Sequence, residues 1–163
     1  MILVADCSAL VALASCDALH LLDALFGTVV VPEAVYREAV VGDRPQARRL
    51  EAYLKGKIRS VDPDHPVLLD GFSDLGETEA MMLYLQLSAD KLLIDDKRGR
   101  RVAKVNRMNI IGSLGVLLGA KRANHIEAIA PYISELASSD VYLSTDLLAM
   151  VMEIAGEAWP VSG

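Results

Sequence analysis

Carboxylates stand at four separated places along the chain: Asp6 directly after the apolar run ILVA, Glu38 within VVVPEAVYREAV, Glu77 within GETEA, and the pair Asp95 and Asp96 after KLLI. Several acids without histidine or cysteine partners make a hard oxygen donor set, the chemistry of Mg2+ or Mn2+ rather than zinc. The three histidines, at 20, 65 and 125, are far apart and lack zinc-site spacing. A cation would relieve the repulsion that otherwise pushes clustered carboxyl pKa values up. Metals bound in this way activate water and stabilise in-line displacement at a phosphodiester, so the set points to a nuclease.

For this chemistry the four segments must meet. Short apolar or β-branched runs at ILVA (2–5), TVVV (28–31), IRSV (58–61), KLLI (91–94) and NII (109–111) alternate with helical patterns. That alternation predicts an α/β fold with helices on both faces of a mainly parallel sheet. In such sheets, sites form beyond the carboxyl ends of the strands, where Asp6 and the Asp95/Asp96 pair fall. Pro32 suits the first turn of the helix that carries Glu38. At about 100° per residue, Glu38 falls within an arc of Ala34, Val35, Ala39 and Val41, which predicts a carboxylate facing the core. Such a group is costly to bury unless it is paired or bound to a cation. On the GETEA helix, Glu77 projects with Met81 and Tyr84 toward the interior, whereas Glu79 projects with Gln86 toward solvent. Eleven helical steps from Glu77 to Ser88 descend about 16 Å and the following strand climbs back about 13 Å, which brings Glu77 and Asp95 to one edge.

Other motifs have plainer readings. Asp6 also suits the N-cap of a helix over Ser8–Ala14, and Ser144 or Thr145 suits the cap of a helix reaching Glu157. The stretch Asp62–Ser73 is the most loop-like in the chain. GSLGVLLGAKR (112–122) fails the GxxxxGK[ST] phosphate-loop pattern, and its glycines suit a turn and close helix packing. Cys7 has no histidine partner that would make it a nucleophile.

The chain has 163 residues, enough for one domain with its own core, and carries a net charge of −6. That balance argues against nonspecific coating of nucleic acid, because phosphate affinity comes chiefly from Lys and Arg. KRGRRVAKVNR (97–107) is the exception, with six basic residues and no acid. Its Arg98, Arg100 and Arg101 are candidates for contact with an RNA backbone or an acidic partner tail, set against the reading of a solvated helix face. Hydrophobic residues make up 53% of the chain and the mean hydropathy is +0.33, yet no apolar run approaches the ~18 residues of a membrane span. MILVADC lacks the basic start and long apolar stretch of a signal peptide, and Cys7 and Cys16 fit free thiols, so a cytoplasmic location is expected.

At these same residues the sequence resembles the PIN-domain family, whose best-known members are VapC-type toxin ribonucleases. The resemblance is carried by the D-x-S pattern of Asp6, Cys7 and Ser8, by VVVPEAVYREAV, by GETEA and by LLIDDKRGRRVA. It covers about residues 1–125 of a single PIN-like domain, an α/β/α sandwich, with a helical C-terminal extension over about 126–163. The family likeness implies that Asp6, Glu38, Glu77 and either Asp95 or Asp96 bind Mg2+ or Mn2+. Spacing from Glu77 favours Asp95, and distance to the RRVA helix favours Asp96. Ser8 looks like the family's hydroxyl beside the first acid, orienting a carboxylate or water. The implied activity is metal-dependent hydrolysis of RNA, leaving a 5′-phosphate, by the toxin half of a toxin–antitoxin pair. Its partners would be RNA, a cognate antitoxin and a second copy of the chain, with no membrane. Two rival readings are a catalytically silent PIN-like partner-binding module and a phosphoaspartyl enzyme of the haloacid-dehalogenase kind. The latter usually has a second Asp where Ser8 stands.

Overall fold

Val, Leu and Ile runs become the strands of the sheet, as their β-branched and apolar character favours. The computed structural model describes residues 1–69, 71, 72 and 74–158. Its strands are β1 (Ile2–Ala5), β2 (Thr28–Pro32), β3 (Ile58–Arg59), β4 (Lys91–Leu93) and β5 (Ile110–Ile111). All neighbours pair in parallel, in the order β3-β2-β1-β4-β5. Central β1 pairs Ile2 with Thr28 on one side and Leu3 with Lys91 on the other. Leu3, Val4 and Ala5 are fully buried, as expected of a parallel strand covered on both faces. The expected runs IRSV and NII contribute only two strand residues each.

The described helices are α1 (Cys7–Ser15), α2 (His20–Phe26), α3 (Glu33–Val40), α4 (Ala47–Leu54), α5 (Leu75–Leu87), α6 (Lys97–Val105), α7 (Ser113–Arg122), α8 (Ala130–Ala137) and α9 (Thr145–Ala155). Helix α5 packs on β1, β2 and β4, and α2 packs with α7, which completes the α/β/α sandwich. Pro32 ends β2 and occupies the N-cap of α3, one position earlier than the sequence suggested. Much of the expected loop at 62–73 is irregular, while Asp70 and Ser73 lie outside the described residues. Helices α8 and α9 dock on α1 and α7, and their Ile133, Leu136, Leu148, Val151 and Met152 join the one hydrophobic core. Ser144 caps α9 as expected, accepting from the Leu147 N–H at 3.1 Å. Glu157 fastens the far end: it accepts from Lys121 Nζ at 2.8 Å and from the Ile129 and Ala130 N–H groups at 2.9 and 3.0 Å. Among the described residues, no single helix is long and apolar enough to cross a membrane.

Strand order turns back between β1 and β4, since the chain adds β2 and β3 on one side of β1 and β4 and β5 on the other. Open α/β sheets bind ligands beyond such a switch point. The Asp6 N–H donates to the Leu93 carbonyl at 2.9 Å, so the β1–β4 ladder holds the first acid at the end of that crevice.

Candidate active site

Asp6 occupies the N-cap of α1 with an extended backbone, but its side chain makes no capping hydrogen bond. It is 2% exposed. Burial pushes its pKa up to about 7, and the nearby Glu38, Asp74 and Asp96 carboxylates push the same way, opposed by the Cys7 backbone N–H. A cap alone would leave this acid bonded and ionised. What stands here is a buried acid surrounded by others.

Glu77 meets it from α5. Asp74 caps that helix, accepting from the Glu77 N–H at 2.8 Å, and turns the Glu77 side chain inward with Met81 and Tyr84, as the helical spacing predicted. Glu77 is buried, and among the described residues its Oε2 has no hydrogen-bond partner. Burial first, then Asp6, Asp96, Asp74 and Glu38, raise its pKa to about 8. Its carboxylate lies against Gly99 of α6, where a Cβ would collide with Glu77 Oε2 and stand 2.9 Å from Glu77 Cδ. The Gly99 N–H in turn donates to Asp96 Oδ2 at 2.8 Å, so Glu77 and Asp96 meet at one glycine.

Glu38 corrects the sequence reading. It is exposed at the cavity rim and does not face the core, because Val41, which completed the apolar arc, lies past the helix end with an extended backbone. Val35 and Ala39 alone carry the buried stripe of α3. A Cβ on Gly76 would stand 3.0 Å from Glu38 Oε2 and 3.6 Å from Asp74 Oδ1, so these two acids border one point of α5. Partial burial and Asp74 raise the Glu38 pKa, while Arg44 lowers it. Glu79 also departs from expectation: it is half-buried and its Oε2 accepts from the Ala34 N–H at 3.3 Å, tying α5 to the start of α3.

The neighbouring acids of the β4 end point in different directions. Both oxygens of Asp95 are engaged by Ser113, its N–H and its hydroxyl, at 2.7 Å each. Asp96 caps α6 and is the one whose charge bears on Asp6 and Glu77. Asp6, Ser8, Glu38, Asp74, Glu77, Asp95 and Asp96 all line one cavity of about 620 Å³, together with Arg44 and Lys97. Arg98, Arg100 and Arg101 do not line it. Arg98 and Arg101 flank a separate groove of about 140 Å³ with Leu68 and Phe72, and Arg100 Nη1 lies beside Gly112 next to Asp95. Helix α6 turns Arg98 and Arg101 to the separate groove, keeps Arg100 near Asp95 outside the cavity, and leaves Lys97, at its first turn, on the cavity wall.

Among the described residues, no three acid, cysteine or histidine side chains are arranged as a ready-made metal cage. The donor chemistry nevertheless fits a hard cation: the groups are all carboxylates, two are buried with raised pKa values, and Glu77 Oε2 is buried without a partner. A cation would supply the missing partner and remove the repulsion.

Sequence reasoning missed Asp74, Arg44 and the segment Asp140–Leu143, all of which line the same cavity. Asp74 had a signal, because D-L-G-E at 74–77 is a capping-box spacing. Arg44 and residues 140–143 lie in irregular segments, where no periodicity indicates what they face. No curated protein and no solved structure matches the chain significantly. A family model, DUF3368, described as a PIN domain, matches residues 2–157, running through α8 and α9 as well as the sheet. With its parallel five-stranded sheet and the acids gathered at the switch point, the chain belongs to the PIN-domain family and has a nuclease-like fold.

Proposed function

We propose that the chain is a divalent-cation-dependent endoribonuclease and the toxin half of a toxin–antitoxin pair. One observation carries the nuclease reading: Asp6, Glu38, Asp74, Glu77 and Asp96 are among the carboxylates that line one cavity at the strand-order switch, and among the described residues the buried Glu77 Oε2 has no hydrogen-bond partner. The pairing with an antitoxin is supported by the resemblance to VapC-type toxins.

Asp6, Glu77 and Asp96 would hold the cation, with Glu38 and Asp74 lining the same cavity. The cation, when bound, supplies charge neutralisation and an activated water for attack on phosphorus. The other roles belong to the chain itself. Asp95 braces the start of α7 through Ser113 and so fixes the β4 end on which Asp96 sits. Arg44 and Lys97 supply positive charge at the cavity wall for phosphate oxygens. Ser8, exposed on the first turn of α1 and lining the cavity, would orient a carboxylate or water.

The test is cleavage of labelled single-stranded RNA by the purified chain in Mg2+ or Mn2+ and in chelator, for wild type and Asp6→Asn. Cleavage that needs the cation and is lost in the variant supports the reading. Full activity of Asp6→Asn would sink it, and acyl-phosphate trapped on Asp6 would favour the phosphoaspartyl reading. An inert protein that still captures a partner would favour the silent module. For the toxin role, expression should arrest growth and co-expression of a neighbouring short reading frame should relieve it. Growth arrest indifferent to any such partner would remove that part of the proposal.

A further inference from the structure

The cavity has a second wall. Besides the acids of the sheet edge, it is lined by Val11 and by Asp140, Val141, Tyr142 and Leu143 of the α8–α9 connection. This connection is tightly held. Gln46, only 5% exposed, donates from Nε2 to Asp140 Oδ1 at 2.9 Å and to Ser15 Oγ at 2.7 Å, and Ser15 Oγ donates to the Val11 carbonyl at 2.8 Å. Ser139 Oγ donates to the Leu136 carbonyl at 2.8 Å and accepts from the Val141 N–H at 3.2 Å, and Ser144 caps α9 on the far side. Val141 and Leu143 pack against the core, whereas Tyr142 between them is 93% exposed. The alternation fixes the backbone by its two apolar neighbours and leaves Tyr142 exposed on the cavity lining.

A volume of about 620 Å³ falls within the ~300–1,000 Å³ of small-molecule sites, well beyond what one cation needs. Its lining combines acids, Arg44 and Lys97 with apolar groups and a tyrosine, the mixture of partners that a nucleotide's phosphate and base call for. In a chain of net charge −6, affinity for RNA cannot rest on phosphate neutralisation alone, and stacking on an aromatic ring adds about 1–3 kcal/mol per base without regard to sequence.

Resting on the nuclease reading above, we propose that Tyr142 is a substrate-binding residue: a stacking platform that seats one unpaired nucleobase next to the phosphate delivered to the acidic floor. The role requires an unpaired base at this position, since a base inside a duplex cannot present its face to the ring.

The test compares wild type, Tyr142→Phe and Tyr142→Ala. Binding of a fluorescein-labelled single-stranded RNA oligonucleotide of mixed sequence is measured by anisotropy in Ca2+, and kcat and KM for its cleavage in Mn2+. Tyr142→Ala should weaken binding roughly 5- to 150-fold, raising KM with little change in kcat, and Tyr142→Phe should bind nearly as wild type. With an oligonucleotide carrying abasic positions, wild type should fall toward Tyr142→Ala and the difference between them should close. Unchanged binding and KM in Tyr142→Ala, in an enzyme that cleaves RNA, overturns the stacking role and leaves the nuclease reading standing. Equal weakening by Phe and Ala would mean that the hydroxyl matters, which also overturns it. Intact RNA binding in Tyr142→Ala with loss of a co-purifying protein would reassign the residue to a protein contact. A wild type that neither binds nor cleaves RNA overturns both readings together.

Discussion

The metal-free protein should lose stability as pH rises through neutrality, and Asp6 should be a main cause. Its folded-state pKa is about 7 against an ordinary 3.8, and that of Glu77 is about 8 against 4.5. Both folded values lie above those of the unfolded chain, so the folded protein holds the extra protons. The stabilisation is fully present below the ordinary carboxylate range and is lost as pH rises through about 7 to 8. At about 1.4 kcal/mol per pKa unit, and with roughly 1.5 units separating pH 5.5 from the folded value, Asp6 alone costs about 2 kcal/mol between about pH 5.5 and about pH 8.5. For a protein of this size that corresponds to a fall of roughly 4–8 °C in Tm. Glu77 acts in the same direction, but the two repel and titrate as a coupled set, so their effects do not simply add. Thermal melts in chelator across this range provide the measurement. Asp6→Asn should melt higher than wild type at the alkaline end and show a shallower pH slope, a comparison that cancels the titrating groups remote from Asp6. Millimolar Mn2+ should restore wild type at the alkaline end and leave Asp6→Asn nearly unmoved, because a ligand that binds only the native state stabilises it. A wild-type Tm that is flat or rises with pH in chelator, or an unchanged slope in Asp6→Asn, would refute the reasoning.

Gly99→Ala places a methyl group into Glu77 Oε2 and 2.6 Å from Ile94 Cδ1; the overpacking, about 1–3 kcal/mol, should outweigh a helix-propensity gain of about 1 kcal/mol, and a Tm at or above wild type would count against the packing described. Asp95→Ala should lower Tm by an amount equivalent to about 1–3 kcal/mol by freeing Ser113 while keeping the Mn2+ response, whereas Asp96→Asn should keep its cap and Tm but lose that response. The reverse pattern would exchange the roles of the two acids. Glu157→Gln should cost about 1–2 kcal/mol near neutral pH through its weakened bonds to Lys121 and the α8 start. Burial raises the Glu157 pKa, but the hydrogen bonds from Lys121 and from the Ile129 and Ala130 N–H groups together outweigh it and lower the pKa in the folded protein, so the contribution of Glu157 is present above the unfolded carboxylate pKa and lost in acid. The Tm gap to wild type should therefore narrow toward about pH 3.5, and a gap independent of pH would show that charge is not the cause.

How far the sequence revealed this site depended on the element that carries each residue. Asp6 and Glu77 were legible because a strand end and a long helix have firm periodicities, and both lie buried where those periods put them. Glu38 was read on the correct helix but toward the wrong surroundings, since a single residue beyond the helix end was counted into its apolar arc. The arginines of α6 were legible as charge but not as direction: one short helix sends Lys97 to the acids, Arg98 and Arg101 to another groove and Arg100 to Gly112. Asp95 and Asp96 are adjacent in sequence, and only their partners, Ser113 and Gly99, tell them apart. Tyr142 lies in a connection whose place is fixed by Gln46, 94 positions from its bonded Asp140, and no local pattern carries that information.

The strand order also sets when the site comes into being during synthesis. β1 is made first among the strands, yet one of its two neighbours, β4, is separated from it by more than eighty residues of chain, as the pairing of Leu3 with Lys91 shows. The β1–β2–β3 side can pair while the rest is still being made, since domains fold as their chain emerges. At that stage Asp6 and Glu38 exist without Glu77 or Asp96 in place. The Asp6 N–H has no Leu93 carbonyl to receive it, and the wall carrying Tyr142 arrives later still. A chain at that stage thus has half a sheet and no assembled acidic floor, so the cavity is completed only once β4, α6 and the α8–α9 connection are available to fold.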